Sequence, residues 1–174
     1  MTRATCAVAA LLALAVPRQP DVDAIKFAKA FQEGFADQYK SRQISGTGMS
    51  FHGSISERLA DGSTRRSLVI TLGEISGGVA APLETWDSFL EAETAHKTLV
   101  VALSGPDLPD VPSRPVTIRF TGVYDGQVRT IMRQAGSVTP DRGACPGEQP
   151  PSDVHASFYC APLLTGATAA IVSR

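Results

Sequence analysis

The first hydrophobic residues that follow a regular pattern recur with the spacing of an α-helix. Four aromatic side chains, spaced four residues apart, fall on one helical face: Phe27, Phe31, Phe35 and Tyr39. Asp21 and Asp23 precede this stripe, where acidic groups favour a helix N-terminus. The spacing predicts a helix over residues 21–40 whose aromatic face packs onto a sheet. A membrane or partner surface is the alternative interpretation of the stripe.

After this helix the pattern changes to the two-residue period of β-strands, around the turn signal Asp61-Gly62. If these two residues form the loop, Ile55 lies opposite Leu68, and the opposite charges of Glu57 and Arg66 also pair. One face of the hairpin is then largely apolar, and we expect it to face the core. Its apolar members are Phe51, Ile55, Leu68, Ile70 and Leu72.

The remaining segments are short and alternate between helix and strand signals. We expect a helix at 83–95, a buried strand at 97–103, a proline-rich loop at 105–114, strands at 116–120, 128–132 and 155–163, and a fraying tail at 167–174. A second Asp-Gly pair, Asp125-Gly126, predicts a hairpin turn. The register around that turn mixes arginines with apolar residues, and a bulge near Gly122 would reconcile it.

Together these elements predict an α+β domain, built as a small antiparallel β-sheet or barrel with one or two packed helices. A helix that leads into a five-stranded barrel resembles the oligonucleotide/oligosaccharide-binding (OB) fold. The local echo of that fold is Tyr39-Lys40 followed by Ile44-Ser45-Gly46. The resemblance implies an OB-like barrel.

Residues 1–15 have the features of a cleavable signal peptide. Arg3 is followed by ten apolar residues from Ala7 to Val16, too few to span a bilayer core of about 20 residues. Ala13-Leu14-Ala15 supplies small residues for cleavage before Val16, and Ala24 marks a poorer second site. We therefore expect residues 16–174 to form a single β-rich domain, periplasmic or secreted and without a transmembrane segment. A buried N-terminal helix of a cytosolic protein is the alternative.

Two cysteines remain after cleavage, because Cys6 lies within the leader. Cys145 and Cys160 are predicted to form a disulfide, since paired cysteines in an exported chain are typically bridged. A bridge closing a loop of this size stabilises a fold by about 3 kcal/mol in the chain-entropy model. A metal site using Cys145, His155 and Cys160 is the alternative, but the tight ligand spacing of zinc sites is absent.

Charge and motifs exclude several functional classes from expectation. The leader's only charged residue is Arg3, so 15 basic and 17 acidic residues remain, and the near-neutral balance does not favour nucleic acid as a partner. Ser50 does not match a nucleophile elbow, which needs glycine on both sides of the serine at fixed offsets. The glycines at 46, 48 and 53 do not match a dinucleotide fingerprint and are interpreted as strand glycines, under a packed helix or at a bend. We expect no catalytic residue, metal or cofactor.

Five arginines lie on the predicted hairpin strands: Arg65, Arg66, Arg119, Arg129 and Arg133. Gathered on one sheet face, they would form a basic patch for an anionic ligand or partner. The alternative is that their aliphatic stems cover apolar surface.

These features predict an exported, non-enzymatic binding or accessory protein of the cell envelope. The expected partner is a protein or an envelope polymer, and an anionic one fits the arginines. The alternative is a small secreted hydrolase or inhibitor whose site is assembled only in the fold. A histidine beside Ser50 and a carboxylate would favour the hydrolase, and a protruding loop at 105–114 the inhibitor. A structural envelope component is a third interpretation.

Overall fold

The computed structural model describes residues 20–51, 54–58, 64–76, 79–81, 83, 85–94, 97–135, 145–147 and 156–173. The predicted leader and its cleavage site lie outside these residues. The described part is mostly β-structure. Its elements are β1 (Val22–Asp23), α1 (Ala24–Gln32), a 3₁₀ helix (Ala36–Tyr39), β2 (Arg42–Ser50), β3 (Ser54–Arg58), β4 (Thr64–Ser76), β5 (Val79–Ala81), α2 (Trp86–Thr94), β6 (Thr98–Ser104), β7 (Val116–Ala135) and β8 (Ala156–Ser173).

The first helix is shorter than the aromatic stripe predicts. It begins with Asp23 as N-cap, whose carboxylate accepts a hydrogen bond from the Lys26 amide at 2.9 Å. It ends before Gly34, which adopts a left-handed conformation with φ +80°, a common way for a helix to stop. The chain therefore turns, and Phe35 is 63% exposed instead of packing with Phe27.

The strands form one mixed sheet in the order β1-β2-β7-β8-β6-β4-β3, with the short β5 beside β4. A further pairing of β2 with β4, at Met49 and Thr71, closes β2, β7, β8, β6 and β4 partly into a ring. The expectation of an antiparallel sheet is wrong for two pairs, because β1–β2 and β6–β8 are parallel. Parallel neighbours need a long connection. The loop after β6 and the whole of β7 lie between β6 and β8 in sequence and supply it.

The main core fills the inside of this ring. The buried side chains that point inward from β4, β6, β7 and β8 include Leu68, Ile70, Leu72, Leu99, Val101, Leu103, Ile118 and Leu164. Phe27 of α1 joins them and packs against the rings of Tyr39 and Tyr124. The helix thus packs on the sheet through Phe27, at one end of the predicted stripe.

The predicted first hairpin exists, but its register is displaced by one residue. Ile55 pairs with Ser67 and Arg58 with Thr64, so five residues connect the strands in place of the two-residue loop. Four of the five predicted core residues are buried: Phe51, Leu68, Ile70 and Leu72. The side chain of Ile55 lies outside the described residues. Both faces of β4 are buried, so the burial of its apolar residues does not depend on the register.

The second Asp-Gly pair is not a hairpin turn. Asp125 and Gly126 lie inside β7, where the pairing with β8 shifts between Tyr124 and Val128. Gly126 has φ +95°, and the Asp125 carboxylate accepts a hydrogen bond from the Gln127 amide at 3.1 Å. The Asp-Gly pair, which predicts a turn from sequence, here forms a bulge within one strand. A second shift, between Thr121 and Val123, confirms the irregularity expected near Gly122.

The C-terminal strand is longer than expected, because its residues after Leu164 pair with the first part of β7, before the bulge. β8 runs to Ser173, so the fraying predicted for residues 167–174 is wrong as far as that residue. The predicted buried strand is confirmed as β6, with Thr98 to Leu103 buried. The second helix is confirmed as α2, and Thr85 and Ser88 cap its start through reciprocal hydrogen bonds.

The disulfide between Cys145 and Cys160 is confirmed, with 4.6 Å between the two Cα atoms. Cys145 is buried, and its amide donates a hydrogen bond to the Thr130 hydroxyl on β7 at 2.9 Å. Such bridges are typical of oxidising, extracytoplasmic compartments. Among the described residues, no helix combines the length and apolarity needed to cross a bilayer.

Candidate functional site

An open groove of about 580 Å³ crosses three neighbouring strands of the sheet. The strands are β2, β7 and β8, which pair in register so that Gly46, Phe120 and Ala169 form the central row. The residues that line the groove are Ser45, Gly46, Thr47, Arg119, Phe120, Thr121, Thr168, Ala169 and Ala170.

The central row points away from the groove, into the ring. Phe120 belongs to the main core, and a Cβ placed on Gly46 would lie 2.6 Å from the Cβ of Ala24 in α1. Side chains alternate along a strand, so the flanking residues point outward. The groove therefore has a main-chain floor, and its walls carry the hydroxyls of Ser45, Thr47, Thr121 and Thr168, the methyl of Ala170 and the guanidinium of Arg119.

The glycines of β2 have a structural role that agrees with their interpretation from sequence. Gly46 lies under α1, as expected for a strand glycine beneath a packed helix. A Cβ on Gly48 would lie 2.6 Å from both the Ile70 Cγ2 atom and the Thr71 carbonyl oxygen. Gly48 therefore permits β2 and β4 to approach where the ring closes.

Arg119 is exposed, and no hydrogen bond or ion pair joins it to the described residues. At the other end of the groove, three side chains are joined by hydrogen bonds. The Gln43 side-chain amide donates to the Thr121 hydroxyl at 2.9 Å and to the Asp21 carboxylate at 3.2 Å. The groove thus contains the guanidinium of Arg119 among small hydroxyl groups. The acidic residue near the groove, Asp21, already accepts a hydrogen bond from the side-chain amide of Gln43.

Arg66 is used in a different way from Arg119. It lies on the side of β4 that carries Leu68, and it donates a hydrogen bond to the Leu108 carbonyl at 3.0 Å. Its second nitrogen forms an ion pair with Asp110 at 3.1 Å. These contacts hold the proline-rich loop across the end of the ring, where Leu108 and Val111 are buried. The loop is therefore fixed to the ring at Leu108 and Asp110, and other residues of it are exposed.

Arg129 does not join Arg119 in the groove. It lies ten residues further along β7, about 30 Å along an extended strand. It is half-buried and has an interaction partner of its own. The backbones of Arg65 and Arg133 lie on β4 and β7, and their side chains are outside the described part. Of the predicted arginines whose side chains are described, Arg119 is the one that lines the groove.

The outer face of β4 and β6 is closed. An apolar cluster buries it: Val69, Val100, Ala102, Ile131, Ala161 and Leu163. The hydroxyls of Ser67 and Thr98, on the same face, are buried without a hydrogen-bond partner among the described residues. A ligand therefore has no access to this side of the sheet.

A charged pair, Asp37 and Lys40, lies on the 3₁₀ helix beside β7. The Lys40 ammonium lies 2.9 Å from an Asp37 oxygen, and this hydrogen bond raises the pKa of Lys40. A Cβ on Gly126 would meet the Lys40 side chain at 2.7 Å, so the bulge fits beneath it. Burial raises the pKa of Tyr124, which keeps its phenol neutral.

The groups considered for hydrolysis are not assembled in the described residues. Ser50 is fully buried, and its hydroxyl has no hydrogen-bond partner there. His52, His96 and His155 lie outside the described part of the chain. A second cavity of about 280 Å³, between β4 and α2, is lined by Glu74, Ser76, Leu83, Ser88, Glu91, Ala92 and Lys97. Within the described ranges, no three His, Cys, Asp or Glu side chains come together as metal ligands.

Comparison with known proteins finds no matching family model, no similar curated protein and no similar solved structure. Sequence reasoning singled out Arg119 but missed the hydroxyl groups around it. The available signal was the alternation of polar residues, Ser45 and Thr47 on one strand and Arg119 and Thr121 on another. That alternation marks an exposed strand face, but it does not show that the two faces adjoin.

Proposed function

We propose that this chain is an exported, OB-like binding protein that holds an extended anionic ligand in the groove of β2, β7 and β8. Strand order supports the OB-like class. Five strands form the ring, and in chain order they are β2, β4, β6, β7 and β8. Around the ring their order is β2, β4, β6, β8, β7 and back to β2, that is 1-2-3-5-4-1 in chain order. The third and fifth of them, β6 and β8, are parallel. This is the order of the OB barrel. Two features depart from the OB fold: the helix α1 precedes the first strand of the ring, β2, and a loop connects its third and fourth strands, β6 and β7.

Arg119 is the observation that carries the proposal. A guanidinium can donate two parallel hydrogen bonds to a carboxylate or phosphate, and it is always charged. Here it stands without an ion-pair partner among the described residues, beside hydroxyls that can donate or accept further bonds. The groove volume of about 580 Å³ is within the usual range for ligand sites.

The composition of the groove favours binding over catalysis. Among the described residues that line it, Arg119 is the only ionisable one, and an arginine does not exchange protons near neutral pH. General acid–base chemistry needs a group that does. Export is supported by the disulfide, which persists in oxidising compartments. An acidic polymer of the cell envelope fits these properties.

The test compares two polysaccharides as probes, a carboxylated polyuronate and neutral dextran, by affinity electrophoresis of the exported protein. We expect retardation by the polyuronate alone, and its loss as salt is raised. Arg119→Gln should weaken binding about tenfold or more, because a charge-assisted hydrogen bond contributes about 1.5–3 kcal/mol. Arg114→Gln is the matched control, since Arg114 is also exposed but lies outside the groove. Equal binding by the two variants, or equal retardation by both polymers, would overturn the proposal.

A further inference from the structure

Among the described strands, the last part of β8 has a neighbour on one side only. β7 pairs with it as far as Ser173, but β6 pairs with it only at Leu163 and Leu164. The chain then leaves β6 at Gly105, whose main chain passes close to that of Ala167. Beyond that point, no strand of the described ranges pairs with Thr168–Ser173 on the side away from β7. This stretch is an open sheet edge of six residues.

The open edge lacks the features that normally prevent edge-to-edge pairing. Its sequence, Thr-Ala-Ala-Ile-Val-Ser, contains no charge and no proline, and three of its six residues are β-branched. Thr168 and Ala170 are exposed, and Val172 is 44% exposed. Exposed edges in native proteins usually carry lysine, proline or a bulge, because bare main-chain groups recruit other strands. An edge without them is expected to be covered.

We infer that the edge is covered by the same edge of a second copy of this chain, so that two β8 strands pair antiparallel about a two-fold axis. An isologous contact of this kind closes both edges at once. A foreign peptide added to the edge would bring a new open edge with it. The absence of charge also gives the edge no means of selecting a charged partner, whereas its small and β-branched side chains fit one another.

The register follows from side-chain size. With Ala170 at the axis, Thr168 lies opposite the partner's Val172, and Ala169 lies opposite the partner's Ile171. Directly opposed side chains approach to about 5 Å, and β-branched pairs stabilise such contacts. The smallest side chain of the exposed row is thus placed where two identical residues meet. Ile171, which is half-buried and packs against the core cluster, gains a further neighbour.

Pairing in this register extends the face that carries the groove. Arg119 lies opposite Ala170 on the neighbouring strand, so it is level with the axis. Three strand spacings then separate Arg119 from the partner's Arg119, a distance of about 14 Å. Two grooves would face the same side, and a polymer could occupy both with higher avidity. The edge pairing itself does not depend on what the groove binds.

Analytical ultracentrifugation of the purified exported protein, from about 1 μM to 1 mM, measures the association directly. We expect a monomer–dimer equilibrium with no larger species, since an isologous interface closes. Ala170→Lys places two like charges at the axis and should weaken dimerisation by about tenfold or more. Val123→Lys is the control, because Val123 is also exposed on an outward face but lies on β7, which has neighbours on both sides.

A cross-linking experiment tests the register without changing the charge. Ala170→Cys should form a covalent dimer under mild oxidation, whereas Val123→Cys should not, with the native disulfide left intact in both. Thermal unfolding confirms that each variant is folded. The inference is overturned if the protein is monomeric throughout the concentration range. It is also overturned if the two cysteine variants cross-link equally, or if the edge captures an added strand-forming peptide while the protein stays monomeric.

Discussion

Gly48→Ala should weaken the closure of the ring, because the new methyl group has no space. Its Cβ would lie 2.6 Å from the Thr71 carbonyl oxygen, which belongs to the main chain of β4 and cannot rotate away. It would also lie 2.6 Å from a methyl carbon of Ile70. Overpacking of this kind costs about 1–3 kcal/mol, against a gain of about 0.5–1 kcal/mol for replacing a strand glycine by alanine. The net expectation is a loss of about 1 kcal/mol.

Urea unfolding measures this loss, and thermal unfolding should show a midpoint lower by about 2–4 °C for a domain of this size. Gly46→Ala is the matched control. Its nearest obstacle, also at 2.6 Å, is the Ala24 side chain on α1, and the helix can shift away from the strand. Gly46→Ala should therefore destabilise the protein less than Gly48→Ala. Unchanged stability for Gly48→Ala, or the opposite ranking, would refute the argument that Gly48 sets the β2–β4 approach.

Two further predictions concern the core and the disulfide. Ile70→Ala should destabilise the protein by about 2–5 kcal/mol in urea unfolding, because the side chain is fully buried, whereas Val123→Ala on the exposed face should change stability by less than about 0.5 kcal/mol. Replacing Cys145 and Cys160 together by serine should lower the unfolding free energy by about 3 kcal/mol, since the bridge closes a sequence separation of 15 residues, and an unchanged urea midpoint would contradict this.

Local signals predicted which segments form strands and helices better than where those segments end. The aromatic spacing from Phe27 to Tyr39 fits one helix, and Tyr39 does pack against Phe27. The helix nevertheless stops before Gly34, because the chain takes a left-handed turn there and continues as a 3₁₀ helix. A glycine inside a helical pattern is compatible with either outcome. Tertiary packing of Tyr39 decides between them.

The two Asp-Gly pairs show why turn chemistry does not fix topology. Asp61-Gly62 does lie between two paired strands, but in a connection of five residues. Asp125-Gly126 lies within one continuous strand and forms a bulge. Both uses need a residue that tolerates positive φ, so the sequence signal is the same. The parallel pairing of β6 with β8 has no local signal, since it joins residues about 60 positions apart.

The candidate site was predictable only in part, because local sequence signals identify strand residues but do not fix the topology that brings them together. Arginines on strands are visible in the sequence, and the disulfide partners follow from their number. Which face each arginine occupies depends on register and on the ring, so Arg66 holds a loop while Arg119 faces the groove. The groove itself arises from three strands that are distant in sequence, and only the pairing of β2, β7 and β8 creates it.

The location of the groove follows from the surfaces that the rest of the fold occupies. In the proposed OB-like arrangement β4 and β6 are the second and third strands, on which OB barrels commonly bind ligands. The outer face of β4 and β6 is buried, and the ring of Phe89 in α2 stacks on that of Phe51 beside it, with 4.1 Å between the centroids. Among the described strands of the ring, the open outer face is that of β2, β7 and β8.

Stability and affinity should therefore respond to different residues. Ile70→Ala removes packing in the main core inside the ring, so it should lower stability and leave the affinity of the folded protein for the polyuronate unchanged. Arg119→Gln removes an exposed side chain that forms no hydrogen bond or ion pair with the described residues. It should lower affinity and leave the urea midpoint unchanged. If Arg119→Gln instead destabilised the protein as much as it weakened binding, Arg119 would be a structural residue and the groove would lose its assignment.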